Sequence, residues 1–284
     1  MPKIWRVIDL IDWGVEYFQS KNISNARLET EWLLCDVLEC KRIDLYVRFE
    51  QSLSQTELSK FKSFILRRIK GEPFQHIIGK APFYGRDFIV NRDVLIPRPE
   101  TEIIIDITKQ NNISPNKILD IGTGSGCLAI TLALENPNSE VIATDVSEKA
   151  LMIAKENAHR FKLQNINFFQ HNFLKENFSE KFDLIVSNPP YIATDEIENL
   201  QPEVKDYDPT IALTDGKDGL IFYRRFSEMA SVLINENGKM LLEFGGNQQV
   251  EAVSSIFTND DFVVKFHRDL QNEQRVIEIS FTND

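Results

Sequence analysis

Along the chain up to about residue 70, apolar side chains recur at steps of three and four. Ile4, Val7, Ile8, Ile11, Val15 and Phe18 form one stripe, and Leu28, Trp32, Cys35 and Leu38 form a second. That period predicts amphipathic helices. Ser54-Gln55-Thr56-Glu57 has the form of a capping box, in which a hydroxyl and a carboxylate each satisfy a free N–H at a helix start. The helix it opens runs through Leu58, Phe61, Ile65 and Ile69, and Gly71 and Pro73 close it. Residues 1–71 are read as a small helical domain, with substrate docking or simple stabilisation as its candidate roles.

The pattern changes over residues 72–99. Phe74, Ile77, Ile78, Phe83, Tyr84, Phe88, Ile89, Val90 and Leu95 are interleaved with Gly79, Gly85 and Asn91, which predicts short paired strands in a hairpin linker. The stiff run Ile96-Pro97-Arg98-Pro99-Glu100-Thr101-Glu102 then leads into a helix at about 100–110. From residue 117 onward strands and helices alternate. Strands are predicted at 117–121, 141–145, 166–170, 182–187, 239–244, 262–266 and 275–281. Helices are predicted at 126–135, 147–161, 219–235 and 247–257. Such alternation implies an α/β fold of Rossmann-like type, a mostly parallel sheet covered on both faces. The last two strands have no helix between them and are expected as an antiparallel edge. Residues 100–284 are read as this α/β domain. Residues 192–218, rich in Asp, Glu and Pro, form an insertion too long for an ordinary connection.

Composition narrows the classes. Lys and Arg number 32 against 43 Asp and Glu, a formal charge of −11 over 284 residues. An acidic chain gains little from counterion release, so nucleic acid is not expected as a partner. No apolar run approaches the roughly 18 residues a membrane span needs. The start, Met1-Pro2-Lys3-Ile4-Trp5-Arg6, lacks a long apolar core and is interrupted by Asp9 and Asp12, so no signal peptide is read there. Cys35, Cys40 and Cys127 have neither an even count nor a CxxC spacing. Packed, reduced thiols and a cytoplasmic enzyme are expected. His76, His159, His171 and His267 show no metal spacing, and no G-x-S-x-G elbow is present. Nothing demands more than a monomer.

The chemistry collects at strand ends. Asp120-Ile121-Gly122-Thr123-Gly124-Ser125-Gly126 closes the first parallel strand and opens a helix, where glycines let the backbone approach a ligand. Its glycine spacing does not fit the dinucleotide pattern G-x-G-x-x-G, since Cys127 occupies the third glycine slot, and there is no P-loop. The run is similar to the first motif of class I S-adenosylmethionine-dependent methyltransferases. Asp145 ends the second strand, where an acid can accept hydrogen bonds from both hydroxyls of a ribose; a helix-start acid favoured by the dipole is the plainer alternative. Asn172 and Phe173 follow the third strand and could meet an adenine, or be a loop polar residue and a core ring. Asn188-Pro189-Pro190-Tyr191 follows the fourth. Two prolines freeze the chain there and push each preceding residue out of the helical region. The Asn188 amide and the fixed carbonyls can grip a planar amino group, with Tyr191 as an apolar wall. A simple proline turn would look the same in isolation. The joint placement of four such sites at carboxyl ends of parallel strands is the specific signal.

On these residues the chain resembles the release-factor glutamine methyltransferases, the PrmC/HemK family. The likeness covers almost the whole chain. It includes Arg68-x-x-Gly71-Glu72-Pro73-x-x-His76-Ile77-x-Gly79, Phe83-Tyr84-Gly85-x-x-Phe88 and Leu95-Ile96-Pro97-Arg98-Pro99-Glu100-Thr101-Glu102. It continues with Glu203-Val204, Asp208-Pro209-x-x-Ala212-Leu213, Gly216-x-Asp218-Gly219-Leu220-x-x-Tyr223-Arg224 and Glu243-Phe244-Gly245. The resemblance implies S-adenosyl-L-methionine as cofactor, with contacts at Gly122, Thr123, Gly124, Ser125 and Gly126 and at Asp145, Phe173 and Asn188; Asp120 and Asn172 join them as candidates by their places at strand ends. It implies methyl transfer to the side-chain amide nitrogen of the glutamine in the Gly-Gly-Gln motif of class I peptide chain release factors, with that amide held on Asn188-Pro189-Pro190-Tyr191. Two positions depart from the family pattern. Asn172 stands where Asp is frequent, and Asn272 stands in a glycine slot of the turn Arg268–Arg275. Asn tolerates positive φ, so that turn is expected to persist. The alternatives are an adenine amino-group methyltransferase acting on DNA or RNA, which would need a basic groove, and a non-catalytic module, which would predict a damaged loop.

Overall fold

The computed structural model describes residues 4–111, 113–258 and 261–282. Met1, Pro2 and Lys3, part of the opening segment read above, lie outside the described residues. The chain forms two compact units. The first runs up to Gly79 and takes in Pro202–Tyr207; the second comprises Lys80–Gln201 and the residues from Asp208 onward.

The first unit is built from helices at Val7–Ser20, Ala26–Leu38, Arg42–Val47, Gln55–Arg68 and Phe74–Ile78. The capping box forms as the sequence predicts: the Glu57 carboxylate accepts from the Ser54 N–H at 2.7 Å, and Ser54 Oγ accepts from the Glu57 N–H at 3.3 Å. Val7, Leu10, Ile11, Phe18, Phe61 and Ile65 meet in the core, whereas Ile4 precedes the first helix and is exposed. The second apolar stripe is corrected. The buried face of Ala26–Leu38 carries Ala26, Thr30, Glu31, Leu33, Leu34 and Val37, and Trp32 is exposed. Glu31 can face inward because Arg27 donates to it at 2.9 Å, Arg42 at 2.5 Å and the Tyr46 hydroxyl at 2.6 Å. A buried charge is tolerated when paired in this way.

Within the same unit the Arg68 guanidinium is buried and joins two segments distant in sequence. It donates to Glu29 and, at 2.7 Å, to Glu203 of the helix Pro202–Tyr207. The Tyr207 hydroxyl donates to the Lys70 carbonyl at 2.8 Å. Part of the insertion thereby folds with the N-terminal helices.

The linker is only partly a hairpin. Phe74–Ile78 is a helix and not a strand, begun after Pro73, ended by Gly79 in the left-handed conformation, and burying His76 and Ile77. Strands β1 (Lys80–Phe83) and β2 (Arg86–Ile89) then pair antiparallel through Tyr84-Gly85, both at positive φ. That is the turn whose twist suits a two-residue hairpin.

The main sheet contains β3 (Lys117–Ile121), β4 (Glu140–Asp145), β5 (Ile166–Gln170), β6 (Phe182–Ser187), β7 (Ile234–Glu243), β8 (Phe262–Arg268) and β9 (Gln274–Phe281). Their order is β5-β4-β3-β6-β7-β9-β8. The first five are mutually parallel, and β9 runs antiparallel to both β7 and β8, as expected. The central strands β3 and β6 are almost wholly buried, which is why they read as continuous apolar runs. Helices Ile103–Gln110, Cys127–Glu135 and Glu148–Arg160 cover one face, and Ile221–Leu233 and Val250–Ile256 the other. β7 begins five residues earlier than the sequence predicts. Its polar start, Asn235 to Gly238, is accommodated where the register with β6 shifts between Phe182 and Leu184. Strand order reverses between β3 and β6, and a ligand crevice forms outside such a reversal.

Candidate active site

β3 delivers Asp120, buried at 1% exposure, to the start of the glycine loop. The N–H groups of Gly122 and Thr123 both donate to the Thr144 carbonyl, at 2.8 and 2.9 Å, turning the chain away from the sheet. Gly122, Gly124 and Gly126 all have positive φ, which L side chains rarely adopt. A Cβ at Gly122 or Gly124 would meet nothing within 4 Å, so these two leave open space. At Gly126 it would lie 2.8 Å from Ile130 Cδ1 and 3.2 Å from Ala154 Cβ, so this glycine serves helix packing.

The loop borders a cavity of about 250 Å³. Asp120, Gly122, Thr123, Gly124, Ser125, Asp145, Asn172, Phe173, Asn188, Pro189 and Pro190 line it together. Of the residues singled out from the sequence, Gly126 and Tyr191 are not on its wall. Tyr191 packs against the core under the second sheet face and borders a separate hollow with Gly245 and Gln249. Its carbonyl accepts from Gln249 Nε2 at 2.7 Å.

Charge in the cavity is governed by burial. The Thr123 hydroxyl donates to Asp120 Oδ2 at 2.7 Å, while Asp120 Oδ1 has no hydrogen-bond partner among the described residues. Burial pushes this carboxyl up to about 7. Asp145 accepts from the Gly124 N–H at 2.9 Å and from the Ser147 N–H at 2.9 Å, and burial raises its pKa also. The Cys127 thiol is pushed up to about 12 by burial, which leaves it protonated and inert as a nucleophile. Asn172 Oδ1 accepts from the Leu174 N–H at 3.2 Å. Phe173 is buried against Phe226, ring centroids 4.5 Å apart, so it belongs to the core while edging the cavity.

Asn188 is half-buried, and its Nδ2 donates to Thr101 Oγ1 at 3.1 Å. Thr101, Arg98 and His171 line the cavity without having been singled out as site residues. Arg98 donates to Asp208 at 2.6 Å, and Asp208, whose other oxygen has no hydrogen-bond partner among the described residues, is pushed by burial up to about 6. The run Pro97 to Thr101 was legible as a stiff segment and as part of the family resemblance, and neither reading gave Thr101 or Arg98 a place at the cavity.

This donor set fits S-adenosyl-L-methionine. An orphaned carboxyl oxygen on Asp120 suits an ammonium, Gly122 and Gly124 leave room for close approach, and a second acid stands on the neighbouring strand end. Among the described residues no group of three or more His, Cys, Asp or Glu could hold a metal, and no helix is long and apolar enough to cross a membrane.

Residues 9–79 match the family described as PrmC N-terminal domain, and residues 99–203 the family described as methyltransferase small domain. A release factor glutamine methyltransferase of Geobacter sulfurreducens is 41% identical, over 92% of this chain and 91% of the relative. One from Fusobacterium nucleatum is 38% identical, over 95% and 77%. A bifunctional methyltransferase of Rickettsia bellii is 38% identical over 94% of this chain, which spans about half (53%) of that relative. Among solved structures, a methyltransferase from Pyrococcus furiosus aligns with a TM-score of 0.52 at 19% identity, covering 78% of this chain and 98% of that one. The hMettl16 catalytic domain in complex with MAT2A 3'UTR hairpin 6 aligns with a TM-score of 0.56 at 15% identity, covering 80% and 82%. These two likenesses establish a shared fold. The chain is a class I methyltransferase that uses S-adenosyl-L-methionine, and the curated relatives place it in the release factor glutamine methyltransferase family.

Proposed function

We propose that this chain methylates the side-chain amide nitrogen of the glutamine in the Gly-Gly-Gln motif of class I peptide chain release factors. The observation that carries the reading is the Asn188 amide at the cavity wall, its nitrogen tied to Thr101, beside the buried Pro189. With its nitrogen engaged, Asn188 turns its oxygen to other use. We assign that oxygen and the Pro189 carbonyl as acceptors of the two N–H bonds of the target amide. The names of the relatives support a release factor as the acceptor protein, and residues 1–71 serve in this reading as its docking domain, in the cytoplasm. The acceptor is met by a monomer.

When bound, S-adenosyl-L-methionine supplies a methyl carbon activated by its sulfonium. Asp120, Gly122 to Ser125, Asp145, Asn172 and Phe173 are the residues that would hold it. An amide nitrogen is a poor nucleophile because its lone pair is delocalised into the carbonyl. Two acceptors on its N–H bonds favour a pyramidal nitrogen, fix its direction, and stabilise the positive charge that develops on it. The alkylated nitrogen is then a strong acid and sheds its proton to water, so no strong base is required. Tyr191, held through its carbonyl by Gln249, walls the turn.

The test is mass spectrometry of the Gly-Gly-Gln peptide from a purified release factor after incubation with the protein and S-adenosyl-L-methionine. A gain of one methyl group on the glutamine supports the assignment. Methyl label on DNA or RNA with none on the release factor overturns it in favour of a base methyltransferase.

A further inference from the structure

The methionine end of S-adenosyl-L-methionine carries two charges, an ammonium and a carboxylate, and Asp120 answers only the first. The cavity wall is otherwise acidic. Asp93, Asp120, Asp145 and Asp215 line it, and Arg98 is the only Lys or Arg among the described residues that do. Lys149 Nζ stands 3.4 Å from Asp93, and Asp215 accepts from the N–H groups of Lys217, Gly219 and Ile221. His171, just beyond β5, has its pKa lowered by burial, which favours its neutral form.

A carboxylate placed among these acids needs donors and positive charge. The glycine loop has few N–H groups left to give. Those of Gly122 and Thr123 are engaged by the Thr144 carbonyl, that of Gly124 by Asp145, and that of Gly126 by the Thr123 carbonyl at 2.8 Å.

Arg98 stands where this need arises. Pro97 and Pro99 flank it, and it is extended at φ −102° and ψ 141°, as a residue before proline must be. Its Nη2 donates to Asp208 at 2.6 Å, and Asp208 is buried at 5% exposure, so one corner of the guanidinium is anchored. A guanidinium has five N–H bonds. Arg98 makes no other side-chain hydrogen bond among the described residues, and its side chain is 33% exposed. The strand register gives its place. Asp120 pairs with Val186, and β6 lies on the opposite side of β3 from β4 and β5. Asn188, just past the end of β6, donates to Thr101, whose N–H donates to the Arg98 carbonyl at 3.2 Å. The Arg98 segment is thus tied to the β6 side of Asp120, and Asp145 ends β4 on the other.

We infer that Arg98 is the carboxylate-binding residue of the cofactor site: its free N–H groups receive the carboxylate of S-adenosyl-L-methionine while Asp120 receives the ammonium. Each headgroup charge is then matched within one cavity. Two parallel N–H bonds from a planar fork also fix the direction of the carboxylate, which a point charge would not do. This role is independent of which acceptor takes the methyl group.

The experiment is calorimetry with two ligands, S-adenosyl-L-methionine and its decarboxylated form, which keeps the ammonium and lacks the carboxylate. The proteins are wild type, Arg98→Gln and the double variant Arg98→Gln/Asp208→Asn, which leaves no buried acid without its cation. Wild type should bind S-adenosyl-L-methionine about 10–100-fold more tightly than the decarboxylated ligand, the range for hydrogen bonds to a charged group. Both variants should lose that preference. Their affinity for S-adenosyl-L-methionine should fall about 10–100-fold, and that for the decarboxylated ligand should change by no more than about twofold. Equal affinity of wild type for the two ligands overturns the inference. An equal loss on both ligands in the variants would make Arg98 a support of the cavity wall and overturns it too. Unchanged affinity for both, with a raised KM for the release factor, would make Arg98 an acceptor contact and overturns it as well.

Discussion

Gly219 lies directly against the backbone of Tyr191: a Cβ on Gly219 would stand 2.2 Å from the Tyr191 carbonyl oxygen and 2.8 Å from its carbonyl carbon. No side chain fits there, and φ at Gly219 is +75°. Asp215 holds this approach by accepting from the N–H groups of Gly219 at 3.1 Å and Ile221 at 2.9 Å. Gly219→Ala must therefore push the turn outward and strain its own backbone. We expect a stability loss of about 1–3 kcal/mol and a fall in turnover larger than the fall in cofactor affinity. Urea denaturation and single-turnover methylation check both.

Asn188→Ala removes the amide oxygen assigned to the target nitrogen and leaves the glycine loop untouched. The expected outcome is a kcat lowered by about two orders of magnitude. Affinity for S-adenosyl-L-methionine should change by no more than about threefold, since the loop and Asp145 remain. Methylation assays alongside calorimetry measure the split, and near wild-type turnover would remove Asn188 from its assigned role.

Asp120 links stability to pH. Its carboxyl is raised from 3.8 to about 7 by burial, so the folded chain keeps a proton that the unfolded chain has lost across that window. Its contribution to stability is complete below pH 3.8 and is lost as pH rises through about 7. Asp120→Asn should flatten this decline and raise the melting temperature at about pH 8 relative to wild type. The same change should weaken S-adenosyl-L-methionine binding, because a carboxylate facing the cavity is lost. Thermal melts across pH and calorimetry test the two opposite effects; a variant that binds as tightly as wild type would sink the assignment.

Arg68 carries the insertion helix Pro202–Tyr207 within the N-terminal unit. Arg68→Met leaves Glu29, only 13% exposed, without its charge partner and releases Glu203. Removing one member of a buried pair costs about 3–5 kcal/mol. We expect a lower urea midpoint and faster proteolytic cleavage around residues 202–207. Unchanged cleavage there would show that Tyr207 and its contact with Lys70 suffice.

The sequence was most readable where local pattern and tertiary burial agree. Phe182–Ser187 reads as a central strand because five of its six side chains are buried. Ser54 and Glu57 read as a cap because the motif is complete within four residues. Asn272 was expected to hold a turn in a glycine slot, and it does so at φ +66°. Legibility failed where distant partners decide. Glu31 looks like a surface residue of its helix, and only Arg27, Arg42 and Tyr46 make its burial possible. Phe74, Ile77 and Ile78 are read with the hairpin, yet their i, i+3, i+4 spacing is helical, and Pro73 and Gly79 bracket a single helical turn. Within the site, the glycine loop, Asp145 and Asn188 announced themselves through their places at strand ends. Thr101 did not, because only the turn at Pro99 brings it to Asn188.

The insertion leaves and rejoins the sheet region at one place: Ile192 and Thr214 form a bridge, and the Ile192 N–H donates to the Leu213 carbonyl at 3.0 Å. The span between them is a closed excursion with its neck tied. Closing entropy for such a loop grows only logarithmically, about 0.6 kcal/mol for each doubling of length. Residues can be added at its exposed stretch Thr194 to Glu196 at small thermodynamic cost, while Glu203, Tyr207 and Asp208 stay anchored and the neck keeps the direction in which the chain leaves Tyr191. The neck thus sets the exit direction of the turn at 188–191 independently of how long the exposed part of the excursion is.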